Sequence, residues 1–340
     1  MKNIKKIVSA AVVMMVALTT AGCTMIAKTP EAIANTPVAI VNGEKITKGE
    51  LEKDPNTIAL LAQVKQQYGD NYSQNQDAES AIKTQESQIL DQMITEKVLY
   101  QKAKELNLLP ADSKIKSEAD AQIANIKKQQ FGNDETKFQA ALKQQNFTEA
   151  SLEDMFISQL RNQEIQTNVS DSVTKNVQVT DKQIQDYYNA NKYQYTEKPD
   201  TIHVAHILVN TLDQATSVED RLKKGENFAK VAKEVSQDPG SKDKGGDLGT
   251  VPYVGSNLDA TFMAAAIALK EGAISQPIKT QFGYHIIECI KKTEYPLKKL
   301  DTVKDQIKQQ LETTQKNTVF QQKISDWKKA ANITKYENNL

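Results

Sequence analysis

Apolar residues recur every three or four positions over most of the stretch from about 57 to 195, the period of helices with one buried face. Ile82, Ile89, Met93, Ile94 and Val98 line one side of a long helix ending near Asn107, with Pro110 just beyond it. Ile115, Ala119, Ile123 and Ile126 make a second stripe, and Leu152, Met155, Phe156 and Leu160 a third. A fourth, Ile184, Tyr187 and Tyr188, follows a capping box at Thr180–Gln183. Gln, Lys, Asn and Glu fill the spaces between, so these stripes read as helix-to-helix core.

Ahead of the helices, Val38-Ala-Ile-Val-Asn-Gly43 is a short β-run closed by Asn-Gly, a hairpin signal. Thr47-Lys-Gly-Glu50 then reads as a capping box opening a helix. Residues 24–36 show no period and read as a tether, so the fold is expected to begin at Pro37. The polar stretch Tyr68–Glu86 is expected to be a mobile loop.

The pattern changes after Pro199. Thr201-Ile-His-Val-Ala-His-Ile-Leu-Val209 alternates like a strand, and a helix follows through Leu222. Gly225–Val235 reads as an amphipathic helix with Phe228, Val231, Ala232 and Val235 inward. Thr280-Gln-Phe-Gly-Tyr-His-Ile-Ile287 runs through a turn glycine into a buried strand. Beyond Tyr295-Pro296, Val303, Ile307 and Leu311, then Phe320, Ile324 and Trp327, restore helical faces. A helical tail after this Gly-rich segment is expected to return to the N-terminal helices, which makes the middle an insertion.

Composition narrows the class. The chain has 340 residues, enough for two or three domains, and 39% hydrophobic content supports a core. Basic and acidic residues number 43 each. Three of the lysines fall within the first 22 residues, which hold no acid, so the remainder is slightly acidic. No basic excess marks a nucleic-acid partner, and none is expected. Two cysteines make no disulfide framework, and three histidines make no histidine-rich metal centre.

Lys2, Lys5 and Lys6 precede an apolar run from Ile7 to about Leu18, and Thr20-Ala-Gly-Cys23 follows. A basic start, a short apolar run and small residues make a secretory signal over 1–22. The run is shorter than the ~20 residues that span a bilayer. Cys23 stands where a lipoprotein signal places its acceptor cysteine, although Thr20 replaces the usual leucine. Cys23 is therefore expected to carry lipid and to hold the chain to a membrane. That leaves Cys289, in an apolar run, as a small buried hydrophobe.

Eight of the 13 glycines fall between Gly225 and Gly283, and all three histidines between His203 and His285. Turn formers and near-neutral side chains gathered together mark the place for chemistry. Gly245-Gly-Asp-Leu-Gly249 lacks the Lys-Ser/Thr ending of a P-loop and the closing Glu of an EF-hand. The histidines and Asp238 have no serine elbow or activated cysteine beside them, which speaks against a hydrolase.

The order of motifs is specific where each alone is not. His206-Ile-Leu-Val, Gly225-x-x-Phe-Ala-x-x-Ala, Ser236-x-Asp, Gly245-Gly-Asp-Leu-Gly and Phe282-Gly-Tyr-His-Ile-Ile together resemble the parvulin family of peptidyl-prolyl isomerases. The resemblance implies a parvulin domain at 199–293, a small, mostly antiparallel sheet flanked by helices. It implies catalytic roles for His206, Asp238, His285 and Thr280, and a proline pocket of Leu258 and Phe262 backed by Ile267. Phe282 replaces a serine of some parvulins. The loop Asn210–Ser217 carries no Lys or Arg, so no preference for phosphorylated substrates is expected.

With its lipobox and flanking helices the whole chain is also similar to lipid-anchored foldases outside the membrane of Gram-positive bacteria. An α+β protein is therefore expected. Its helical, chaperone-like body joins residues 37–198 to a C-terminal segment, 294–340, and carries the parvulin domain as an insert. Expected partners are unfolded or partly folded secreted proteins containing X–Pro bonds, the membrane through Cys23, and a second copy of the chain in a homodimer. No metal or cofactor is implied. A second reading is a holdase chaperone whose parvulin domain is weak or inactive.

Overall fold

The structure is a computed structural model and describes residues 29–144 and 147–340. The signal segment and Cys23 lie outside the described residues. The chain divides into two compact units, one of residues up to Val177 together with Thr314–Leu340, the other of Gln178–Thr313.

The first unit opens earlier than the expected start at Pro37. A short helix, α1 (Pro30–Ala34), is capped by Thr29, whose hydroxyl accepts the Ala32 N–H at 3.2 Å, so part of the expected tether is ordered. Strands β1 (Pro37–Val41) and β2 (Glu44–Thr47) pair antiparallel. Asn42 and Gly43 join them with φ of 51° and 87°, the conformation of the turn that Asn-Gly favours. The Thr47–Glu50 capping box opens α2 (Lys48–Lys53), and α3 (Pro55–Tyr68) starts on Asp54 with proline in its first turn.

Only the beginning of the expected Tyr68–Glu86 loop is irregular. Asn75 caps α4 (Gln76–Glu105) by accepting the N–H groups of Asp77 and Ala78, so the helix takes in residues 76–86 despite their polarity. Helices α5 (Asp112–Phe131), α6 (Glu135–Gln144) and α7 (Glu149–Thr174) follow. On α4, Ile89, Leu90, Ile94 and Val98 bury themselves against Val38, Val41, Ile46 and Leu51. Leu99 and Ala103 meet Ile165 and Val169 of α7.

In the second unit, α8 (Asp181–Ala190) carries the Thr180–Gln183 capping box. Strands β3 (Thr201–Val209), β4 (Asp247–Pro252), β5 (Ile278–Thr280) and β6 (Gly283–Thr293) form an antiparallel sheet in the order β4-β3-β6-β5. Helix α9 (Leu212–Lys223) precedes α10 (Phe228–Val235). The latter starts three residues later than its apolar pattern suggests, because Asn227 caps it. Helix α11 (Ala260–Ala268) follows β4.

Helices α9 and α10 cover one face of this sheet, packing Val218, Leu222, Phe228 and Val231 on Ile207, Val209 and Ile286. Helix α11 covers the other, packing Phe262, Met263 and Ala266 on Ile202, Val204, Ile287 and Cys289. Consecutive Ile286 and Ile287 thus serve opposite faces, as strand alternation requires. The same alternation puts His206 and His285 on the face of α11.

The last helix, α12 (Leu300–Ala330), contributes Val303 and Ile307 to a core with Ile184 and Tyr195 of the second unit. From Thr314 onward it belongs to the first unit, where Phe320, Ile324 and Trp327 pack on the Leu99–Ile165 cluster. Strand β7 (Ile333–Lys335) then pairs antiparallel with β1, completing a sheet ordered β2-β1-β7. No periodicity in the sequence points to this strand.

Candidate active site

His206 pairs with Ile287 across β3 and β6, and Leu208 with His285. The two histidines are therefore diagonal neighbours on adjacent strands, close enough to touch. Their rings stack with centroids 5.2 Å apart and planes 19° apart, and the two Nδ1 atoms lie 3.0 Å apart. Both are nearly sealed from water, at 6% and 5% exposure. Phe262 of α11 stands edge-on to both rings, 5.7 Å from His206 and 5.3 Å from His285.

Asp238 reaches the pair through a loop fastened to the sheet. Buried Ser236 accepts the Leu208 N–H at 3.2 Å, and Gln237 N–H donates to the Leu208 carbonyl at 2.7 Å. Asp238 Oδ2 then sits 2.9 Å from His206 Nε2, and its Oδ1 accepts the Gly240 N–H. The Ser241 hydroxyl donates to the same Oδ2 and lies 3.0 Å from His206 Nε2. Gly246 closes the loop, its carbonyl accepting the His206 N–H at 2.8 Å. A Cβ there would fall 2.2 Å from the His206 carbonyl oxygen, at a φ of +83°, so glycine is required. At the far end, Thr280 Oγ1 lies 2.8 Å from His285 Nε2 and accepts the Phe282 N–H at 3.2 Å.

The electrostatics assign the protons. Burial alone would raise the Asp238 carboxyl, but hydrogen bonds from Ser241, His206 and Gly240 outweigh it and hold the group down at about 2. An ionised Asp238 can only accept, so His206 Nε2 carries a proton and donates. In a neutral His206 the other nitrogen, Nδ1, must accept, and the donor facing it is His285 Nδ1–H. His285 Nε2 is then an acceptor for the Thr280 hydroxyl. Burial and the neighbouring His206 push His285 down to about 4, which keeps it in this neutral form. With both imidazoles neutral, the result is one directed line of donors from Phe282 N–H through Thr280, His285 and His206 to the carboxylate.

Leu258, Leu248 and Ile278 pack against the same apolar cluster as Phe262 and Met263. Ile267 joins this cluster as well, but five residues from Phe262 it sits about 140° around the helix. Every expected site residue within the described part thus falls in one neighbourhood. Ser241 and Leu248 join this neighbourhood without a signal of their own in the sequence. Ser241 is one short polar residue in a loop of many, and Leu248 lies inside a motif read for its glycines. His203, which alternation sets apart from the site, pairs with Asp247 at 2.8 Å. Cys289 is fully buried, and burial raises its thiol, in keeping with a structural role. Among the described residues no group of three or more His, Cys, Asp or Glu is arranged to hold a metal ion, and no helix is long and apolar enough to cross a membrane.

A four-stranded antiparallel sheet with helices on both faces and stacked, buried histidines beside an apolar cluster defines a parvulin-type peptidyl-prolyl isomerase domain. Residues 206–291 match the family of PPIC-type peptidyl-prolyl isomerase domains, and residues 1–166 match the SurA-like N-terminal domain. Over the full length of both chains the sequence is 59% identical to the foldase protein PrsA of Clostridium kluyveri (strain ATCC 8527) and 49% identical to that of Clostridium botulinum (strain Hall). The chain belongs to the PrsA foldase family. The crystal structure of the peptidylprolyl isomerase PrsA from Bacillus cereus is 26% identical, matching 90% of this chain and 96% of that one with a TM-score of 0.40.

Proposed function

We propose that the chain is a lipid-anchored foldase on the outer face of the cell membrane, which isomerises X–Pro bonds in unfolded or partly folded secreted proteins and holds them while they fold. His206, Asp238, His285 and Thr280 are the catalytic residues in this reading, with Leu258 and Phe262 seating the proline ring and Ile267 behind them. Residues 199–293 form the catalytic insert, and the helices on either side form the chaperone body. The observation that carries the reading is the stacked His206–His285 pair, sealed from water and placed edge-on against Phe262.

Rotation about a peptide bond meets a barrier of about 18–20 kcal/mol because resonance must be broken. Each ~1.4 kcal/mol removed from it is worth tenfold in rate. The planar amide is polar and is favoured by water on its carbonyl, whereas the twisted amide has lost that polarity. A dry seat against Phe262 therefore favours the twisted form, the differential binding that catalysis needs. The ordered donor line, with its hydrogen bonds already made inside the protein, gives the rotating carbonyl a fixed polar edge without reorganisation. No bond is made or broken, and no proton need be transferred.

The anchor rests on the Thr20-Ala-Gly-Cys23 motif after a basic and apolar leader. Residues 23–36 then lead from the lipid to the body, with α1 folded within them. Cys23→Ala should release the chain into the medium and abolish incorporation of labelled palmitate. Retention with unchanged labelling would remove the anchor from the reading. The catalytic part is tested by exchange of a short X–Pro peptide, with His206→Ala and Asp238→Ala beside the wild type. Acceleration that falls in both variants supports the assignment. A folded wild-type chain without acceleration would leave a tethered holdase, and a monomer at all concentrations by light scattering would exclude the homodimer.

A further inference from the structure

We propose that Phe282 is a specificity-determining wall that takes the side chain of the residue preceding proline and selects large apolar or aromatic side chains there. The proposal rests on the isomerase reading of the His206–His285 site and deepens it.

Phe282 occupies the tip of the two-residue turn between β5 and β6, a place where polar residues are usual. Its ring is 62% exposed, the most exposed of the large hydrophobic side chains among the described residues. Neither apolar cluster of the sheet holds it. A lone exposed apolar residue needs no explanation by itself, but this one is tied to the site. Its N–H is bonded to Thr280 Oγ1, which in turn lies 2.8 Å from His285 Nε2. The ring therefore springs from the end of the polar line opposite Asp238.

Seating the proline ring on Phe262 and Leu258 would bring the carbonyl that rotates, which belongs to the preceding residue, toward the two histidines. The proposal sets that residue's side chain on the side of the Thr280–Phe282 turn, because the exposed apolar surface lies there and a carboxylate occupies the other end. A bare aromatic ring offers contact to an apolar side chain and nothing to a carboxylate. Lys279, close by in the chain, sits over the Tyr284 ring at 4.3 Å, so its ammonium is already engaged. The expected order is Leu and Phe above Ala, with Glu lowest.

The test measures kcat/KM of the full-length chain, in mild detergent, on tetrapeptides with Leu, Phe, Ala or Glu before proline, for wild type, Phe282→Ala and Phe282→Leu. Both variants keep the backbone N–H and a chain that folds, which circular dichroism checks. Wild type should favour Leu–Pro and Phe–Pro over Ala–Pro by about fivefold. F282A should lower Leu–Pro and Phe–Pro about fivefold more than Ala–Pro, and F282L should restore part of the difference. Equal losses on all four peptides, an intact preference in F282A, or a wild type that favours Glu would overturn the assignment. Acceleration without any preference sinks only the role of Phe282. Absence of acceleration on every peptide sinks the isomerase reading with it.

Discussion

His206 and His285 face each other nitrogen to nitrogen, Nδ1 to Nδ1 at 3.0 Å, in a site from which water is nearly excluded. Only one proton fits between those atoms. The ionised Asp238 on one side and Thr280 on the other decide which ring supplies it, so the pair behaves as a single unit with a set direction.

Removing the charge at the end of this line should reverse or disorder it. Asp238→Asn can present an N–H to His206 Nε2 where an acceptor stood, forcing the other tautomer. A hydrogen bond to a charged group is worth roughly 1.5–3 kcal/mol, so kcat/KM should fall about 10- to 100-fold. Ser241→Ala, which leaves the carboxylate in place, should cost roughly tenfold or less. Peptide exchange kinetics, with nitrogen chemical shifts of the two imidazoles, check both. Wild-type tautomers in D238N would contradict the proton assignment.

Acid should loosen the site in two steps. His285 titrates near 4 in the folded chain against an ordinary 6.5, so the unfolded chain binds the extra proton first. Stability contributed by His285 is complete above about 6.5 and is lost as pH falls toward 4. Asp238, lowered from 3.8 to about 2, adds a second loss as pH falls below about 3.8. Urea unfolding of the second unit between pH 7 and 4 should show this slope, and His285→Gln should flatten it. An equal slope in the variant would place the proton elsewhere.

Gly246→Ala should be among the most damaging single changes in the second unit. Its methyl group meets the His206 carbonyl, and its backbone lies where side chains are strained. A loss of about 3 kcal/mol or more is expected, together with isomerase activity. Gly240→Ala, whose added atom would make an ordinary 3.5 Å contact with Asp238 Oδ1 at an unstrained φ, should be mild. Thermal melts of the two variants side by side distinguish the effect of position from that of glycine content.

Deleting residues 332–340 should destabilise the first unit. Asn42 N–H donates to the Asn332 carbonyl, Tyr336 N–H to Val38, and the Asn339 amide to Pro37. Losing β7 would strip β1 of one partner and uncover Ile333 and Leu340 contacts on the Val38–Leu90 core. A loss of about 2–4 kcal/mol is expected, read by hydrogen exchange at Val38–Val41. Unchanged protection there would mean that the Asn42–Gly43 hairpin holds without its third strand.

Much of the candidate site was legible before any coordinates. The resemblance to parvulins implies His206, Asp238, His285, Thr280, Leu258, Phe262 and Ile267, and the structure brings them together. What hid Ser241 was its ordinariness. A serine in a loop gains meaning only once the chain brings its hydroxyl between a carboxylate and an imidazole. The Tyr68–Glu86 stretch differs for another reason: its polarity suggests a loop, while the Asn75 cap and the buried Ala78 carry the helix through residues 76–86.

Local chemistry is written in the order of residues along the chain. Periodicity sets helices, the Asn-Gly pair sets the hairpin and capping boxes set helix starts, because these depend on neighbours a few residues apart, while the ordered motifs mark one isomerase domain through the resemblance to its family. The tertiary structure alone decided the diagonal pairing of β3 with β6 that stacks two histidines, the tautomers that Asp238 then imposes, and the return of β7 to β1. Those rest on contacts between residues far apart in the chain, as far as Pro37 and Asn339. Their register is set by burying both sheet faces at once, and no local pattern encodes that condition.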